Sequence, residues 1–232
     1  MTDLAPSAAR PSLNLQRPTH VAIMGDLVSS QDAGSVADLH AAFNRAIDAA
    51  NLDAGTTMTS PLTITLGDEF QGLTQTFEDG LAILRDVQAR LLIQGVACRF
   101  VLGVLRLETP VNSERAWNMM GPGLAASRAR LTDKRDANAY RFHLPGQPAL
   151  ETLMEAVGAS LSEIEQGWTA RQREVALASR WESATGLAQR LNISLQTLYK
   201  IRRAARFEFY GRQWRALETA VETLDEIYGL TR

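Results

Sequence analysis

Apolar residues change their spacing several times along the chain, and each change marks an element. Val21 to Met24 is an unbroken apolar run, the pattern of a buried strand, and Gly25-Asp26 closes it. Between Ser35 and Asn51, Val36, Leu39, Phe43 and Ile47 recur at intervals of three and four, which predicts an amphipathic helix with Ser35 as its N-cap. After a loop of Gly, Thr and Ser, Leu62 to Leu66 predicts a second strand with a β-branched bias. Gly67-Asp68-Glu69 turns the chain into a third strand near Phe70 to Leu73. Phe77, Leu81, Leu84, Val87 (or Gln88) and Leu91 then predict a second helix, stopped by Gly95, and Cys98 to Leu107 a fourth strand.

The order β-α-β-β-α-β is that of the ferredoxin-like split unit. Right-handed crossovers put both helices on one face of an antiparallel sheet, and strands one and three become central neighbours. The end of the first strand, at Asp26, should therefore lie beside the turn that carries Asp68. Further on, Gly121-Pro122-Gly123 opens a short helix over Leu124 to Leu131, Ala139 to Leu144 reads as one more strand, and a helix runs from Ala149 to about Gln166.

The second half is helical. Trp168 precedes Thr169-Ala170-Arg171-Gln172, which fits a capping box and starts a helix to about Glu182. Ala184 to Leu191, a break at Asn192-Ile193-Ser194, and Leu195 to Ala205 predict a helix-turn-helix. A last helix, near Gly211 to Tyr228, carries Trp214, Leu217, Val221, Leu224 and Tyr228 on one stripe, either packing against the helix-turn-helix or forming a dimer seam.

Composition adds little until the charge is divided. The 232 residues carry a net charge of -2. Residues 169–215 hold ten basic and three acidic side chains, net +7, while residues 1–168 are net -6, which predicts an acidic partner for the basic segment. No apolar run approaches a membrane span, and the Pro-, Ser- and Ala-containing start reads as a disordered lead-in without a signal-peptide core, so a cytoplasmic protein is expected. One cysteine, Cys98, excludes an internal disulfide and a cysteine-based zinc site. His20, His40 and His143 have no ligand spacing.

The chemistry that stands out is the pair of Gly-Asp strand ends. Asp26 and Asp68, helped by Glu69, are hard oxygen ligands of the kind Mg²⁺ uses when it also holds a nucleotide's phosphates. Gly25 and Gly67 allow close backbone approach, Ser29 and Ser30 offer hydroxyl and N–H donors, and Arg128 and Arg130 match phosphate oxygens. The bland reading makes the two aspartates turn residues or helix caps. On the basic helix, Gln196, Thr197, Tyr199 and Lys200 face a DNA groove in this reading, and Arg202, Arg203 and Arg206 its phosphates.

Val21 to Ser30, Ile64 to Leu73, Gly121-Pro122-Gly123 and Ser127-Arg128 together resemble the SatD family. A more distant likeness is to class III nucleotidyl cyclases and the diguanylate cyclase palm, which place a metal-binding Asp after the first strand and another in a Gly-Asp hairpin. That likeness implies a nucleoside triphosphate bound through Mg²⁺ at Asp26 and Asp68. Two departures accompany it: the purine-reading Lys of adenylyl cyclases falls on Ile64, and their Asn-Arg pair meets Gly121 to Arg130 without an Asn.

The resulting layout is an α+β protein: a lead-in (1–18), a cyclase-like nucleotide-binding domain (19–148), a connecting helix (149–168) and an all-α helix-turn-helix domain (169–232). It supports a homodimeric, nucleotide-sensing transcription regulator that binds DNA. Alternatives are an active nucleotidyl cyclase or nucleotidyltransferase, and a DNA-binding protein whose first domain only dimerises.

Overall fold

The computed structural model describes residues 20–28, 35–132 and 136–231. The proposed lead-in, Ser29 and Ser30 lie outside them. Strands β1 (His20–Leu27), β2 (Met58–Ile64), β3 (Glu69–Thr74), β4 (Cys98–Leu105) and β5 (Tyr140–His143) form one sheet in the order β2-β3-β1-β4-β5. The first four are antiparallel in the ferredoxin-like arrangement, with β1 between β3 and β4 as the element order predicts, and β5 adds in parallel to β4. β2 starts four residues before its apolar core because Met58 and Ser60 pair with Thr74 and Leu73 through register shifts.

One face of the sheet carries Val21, Ile23, Phe70, Phe100, Leu102, Tyr140 and Phe142 and is covered by helices α1 (Val36–Ala54), α2 (Phe77–Ile93) and α4 (Pro148–Gln166). Ser35 caps α1 by accepting from the Asp38 N–H at 3.2 Å. The other face carries Ala22, Met24, Leu73, Val101 and Leu105 and receives the shorter α3 (Leu124–Leu131) through Leu131 and Leu124. Parity along β1 puts Asp26 on this second face.

After α4 come α5 (Ala170–Ala178), α6 (Ala184–Arg190), α7 (Leu195–Ala204) and α8 (Phe207–Tyr228). Thr169 and Gln172 make the predicted capping box. Val175, Ala178, Leu187 and Leu198 give α5, α6 and α7 a small core of their own. α8 starts four residues earlier than its stripe indicates, and Trp214, Leu217, Val221 and Leu224 are buried in the same cluster as the sheet. The stripe is packing within the chain, against α2 and α4 as well as α7.

A polar knot sits inside this packing. The Glu165 carboxyl on α4 accepts from the hydroxyls of Tyr140 at 2.7 Å and Tyr210 at 2.8 Å and from the Gln88 amide at 2.6 Å, joining α4, β5, α8 and α2. Trp214 stands edge-on to Tyr140, with centroids 5.4 Å apart. Burial drives the Glu165 pKa up to about 8, against the lowering effect of the two tyrosines. A second long-range tie is Asp225 on α8, which accepts from the N–H groups of Phe77 and Glu78 at 2.7 and 3.0 Å and so caps the start of α2.

Because the folded Glu165 pKa lies above the ordinary carboxylate value, the folded state holds an extra proton between about pH 4.5 and about pH 8, and stability falls as pH rises through that window. Urea midpoints should decrease from pH 5 to pH 8 and level off above it, and Glu165→Gln should flatten that slope. Asp225→Ala should cost about 1–2 kcal/mol in urea denaturation, the usual loss when a helix cap is removed.

Candidate functional site

In the register of β1 against β3, Asp26 stands opposite Glu69 and Met24 opposite Gln71; against β4, Asp26 stands opposite Arg99. All four polar side chains therefore point to the second face, at the end of the sheet beyond the small apolar cluster under α3. The Leu27 N–H donates to the Asp68 carbonyl at 3.0 Å, which fastens the Gly67-Asp68 turn to the end of β1. The structure thus brings Asp26, Asp68 and Glu69 to one place, as the topology predicted.

Asp26 is the floor, only 6% exposed. Arg99 Nη1 lies 3.4 Å from its Oδ2, a contact between two largely buried charges. Arg128 approaches from α3: its Nη2 donates to Gln71 Oε1 at 3.0 Å, and its Nη1 stands 4.0 Å from Glu69 Oε2. Gln71 is in turn held by the Ala116 carbonyl, 2.5 Å from its Nε2. The segment between β4 and α3 is fixed again where Thr63 Oγ1 accepts from the Ala116 N–H at 2.9 Å. Arg128 is consequently aimed along the carboxylates by a neutral amide, with much of its guanidinium still exposed.

Other predicted residues lie elsewhere or do something else. Arg130 points away to α4, where it pairs with Glu151 at 3.4 Å and with Glu155. Gly25 faces the helical side, where a Cβ would sit 2.2 Å from the Phe70 ring, so its missing side chain makes room for Phe70. Gly67, at φ +75°, supplies the left-handed turn and has open space around it. Ile64 pairs with Phe70 in the ladder and so shares its face, packing on the main core away from the carboxylates. Arg99 and Gln71 were missed because each was read as part of an apolar strand. Their alternation with Phe100 and Phe70, which face the helices, was the available signal.

Among the described residues no three His, Cys, Asp or Glu side chains form a metal-holding group. Asp26, Asp68 and Glu69 are therefore not a preformed three-carboxylate cage. Cys98, beside Asp26, remains a thiol because burial, and then the carboxylate, push its pKa well up. Burial also lowers His20 and His143.

These features define an α+β protein with a ferredoxin-like sheet and an acidic, arginine-flanked site at one end of it. The SatD family model matches residues 20–219, and the chain belongs to that family. Two solved structures of a bacterial light-regulated adenylyl cyclase are similar at 13% identity, with TM-scores of 0.37 and 0.35. Each match covers 53% of this chain and 42% of the cyclase, so the chain corresponds to less than half of that protein's length. No curated protein matches the sequence.

The expectation of a DNA-binding transcription regulator is corrected by these findings. The family match runs through both halves and does not concern transcription or DNA. Several of the basic side chains are also engaged within the chain. Arg171 and Arg190 pair with Glu174 at 3.0 Å, and Arg190 with Glu182 at 2.9 Å. Arg202 donates to Ser179 at 2.8 Å and lies over Phe207, and Arg206 lies over Phe209. Thr197 is spent in the Ser194 cap at 2.9 Å, while Gln196, Tyr199, Lys200 and Arg203 are exposed on α7. α6 and α7 form where predicted, but their role as a DNA reader is not supported.

Removing Asp26 leaves Arg99 with its charge in a mostly buried place. Asp26→Ala should lower stability by roughly 2–3 kcal/mol, the low end for breaking a buried pair given the 3.4 Å separation, whereas Asp68→Ala on the turn should change it by less than about 0.5 kcal/mol. Chemical denaturation of the two variants checks this difference.

Proposed function

We propose that the chain binds a nucleoside triphosphate at the Asp26–Asp68 end of the sheet and acts on it as a nucleotidyl cyclase or nucleotidyltransferase. The observation that carries this reading is the convergence of Asp26, Asp68 and Glu69 at adjoining strand ends with Arg128 aimed beside them. The donor set suits Mg²⁺, which takes one or two carboxylates and completes its shell with phosphate and water oxygens. Asp26 and Asp68 would hold the ion, with Glu69 beside them. When bound, it supplies charge neutralisation and polarises the phosphoryl oxygens.

The chain's own side chains account for the rest. Arg99 lies beside the Asp26 carboxylate and offsets its charge in a nearly buried position. Arg128 presents guanidinium donors toward the place where phosphate oxygens gather, and Gln71 fixes its direction before a ligand arrives. Ile64 faces the helical core and not this face of the sheet, so base choice has to rest on other groups.

The test is turnover of ATP, GTP, CTP and UTP with Mg²⁺ or Mn²⁺, followed by chromatography of the products. Wild type should release a cyclic or nucleotidylated product. Asp68→Ala should lose about 100-fold or more in kcat/KM without unfolding, and Arg128→Ala should lose about 10-fold, mainly through KM. No product and no calorimetric binding with any of the four nucleotides overturns the reading.

A further inference from the structure

A cavity of about 410 Å³ lies where the start of β4 projects past β5, closed by the ends of α2 and α4 and by α5. That volume is in the range of small-molecule sites. Leu92, Ala97, Phe100 and Ala139 form its apolar walls. Arg173 of α5 also lines it, with Nη1 3.4 Å from the Leu92 carbonyl at the end of α2 and no ion pair among the described residues. Arg173 Nε is buried without a hydrogen-bond partner. Arg99 borders the cavity as well as Asp26.

Among the described residues, the acids that line the cavity, Asp136 and Glu165, form no ion pair with Arg173. Asp136 is half exposed and stands 3.9 Å from Arg141. Glu165 is tied up by Tyr140, Tyr210 and Gln88, and its pKa of about 8 keeps it mostly uncharged at neutral pH. An apolar chamber with an uncompensated guanidinium calls for a ligand with one anionic end and an apolar body.

We infer that this cavity is a binding site for a small organic carboxylate, its acid group held by Arg173 and its apolar body packed on Leu92, Ala97 and Phe100. It is separate from the nucleotide site and does not depend on that reading.

The experiment uses the full chain and a probe set of benzoate, phenylacetate and hexanoate, each with its primary amide, measured by saturation-transfer NMR and calorimetry. At least one carboxylate should bind at about 1 mM or better, and its amide at least 10-fold more weakly. Arg173→Gln should weaken the carboxylate at least 10-fold, Arg173→Lys should restore part of the loss, and Ala139→Trp should block binding by filling the chamber. Asp68→Ala should leave binding unchanged. If Ala139→Trp does not fold, the Arg173 pair still decides the matter. Equal affinity for acid and amide, unchanged binding in Arg173→Gln, or no binding by any carboxylate overturns the proposal.

Discussion

One buried carboxyl group, Glu165, sets how the helical layers meet the sheet. Its partners come from three other elements, Gln88 of α2, Tyr140 of β5 and Tyr210 of α8, and none of these reaches water. A polar group so placed is costly unless every donor around it finds an acceptor, so the four elements have one mutual arrangement that satisfies them together. Trp214, Tyr140 and Tyr210 pack edge to face around it and add apolar area to a geometry already fixed by the hydrogen bonds. The C-terminal helix is thereby drawn into the same core as β1, and the basic stretch between them becomes part of one packed body.

Glu165 and Asp26 show opposite solutions to burying an acid. Glu165 is surrounded by neutral donors and gives up its charge at neutral pH, while Asp26 has a guanidinium beside it and sits at the edge of a patch that holds three carboxyl groups. The first arrangement stabilises a fold; the second sets an acid against a guanidinium at the end of the sheet where the Asp68 turn meets β1. The two faces of the sheet divide accordingly. The helical face is apolar around one neutral knot, and the other face ends in charged groups.

Much of the sheet was legible from sequence because strand spacing, helix spacing and crossover handedness act locally and in one direction. Val21 to Met24, the Phe43 stripe and the Gly95 stop each needed only neighbouring residues, and the β-α-β-β-α-β order then put Asp26 next to the Asp68 turn. The Ser35 cap and the Thr169-Gln172 box were equally local. The failures involve partners far apart in the chain. Arg130 looked like a companion of Arg128, but Glu151 and Glu155 on α4 take it, and nothing local links those positions. Arg99 was hidden in an apolar strand pattern until pairing with β1 set it opposite Asp26. The basic segment's charge had suggested an acidic partner, but a charge count does not tell which arginines are engaged within the chain, as Arg202 is by Ser179 and Phe207.

The Asp225 cap carries a consequence for how the chain comes into being. The first turn of α2 is completed by a side chain 148 residues downstream. A ribosome that has delivered β1 to β4 has therefore supplied the sheet but not the group that finishes one of the helices lying on it, nor the Tyr210 hydroxyl that answers Glu165. Contacts of such separation form slowly, because the closure entropy of a long loop is spent before the contact returns anything. During synthesis the nascent sheet waits with its helical face incompletely covered until α8 has followed it out of the ribosome.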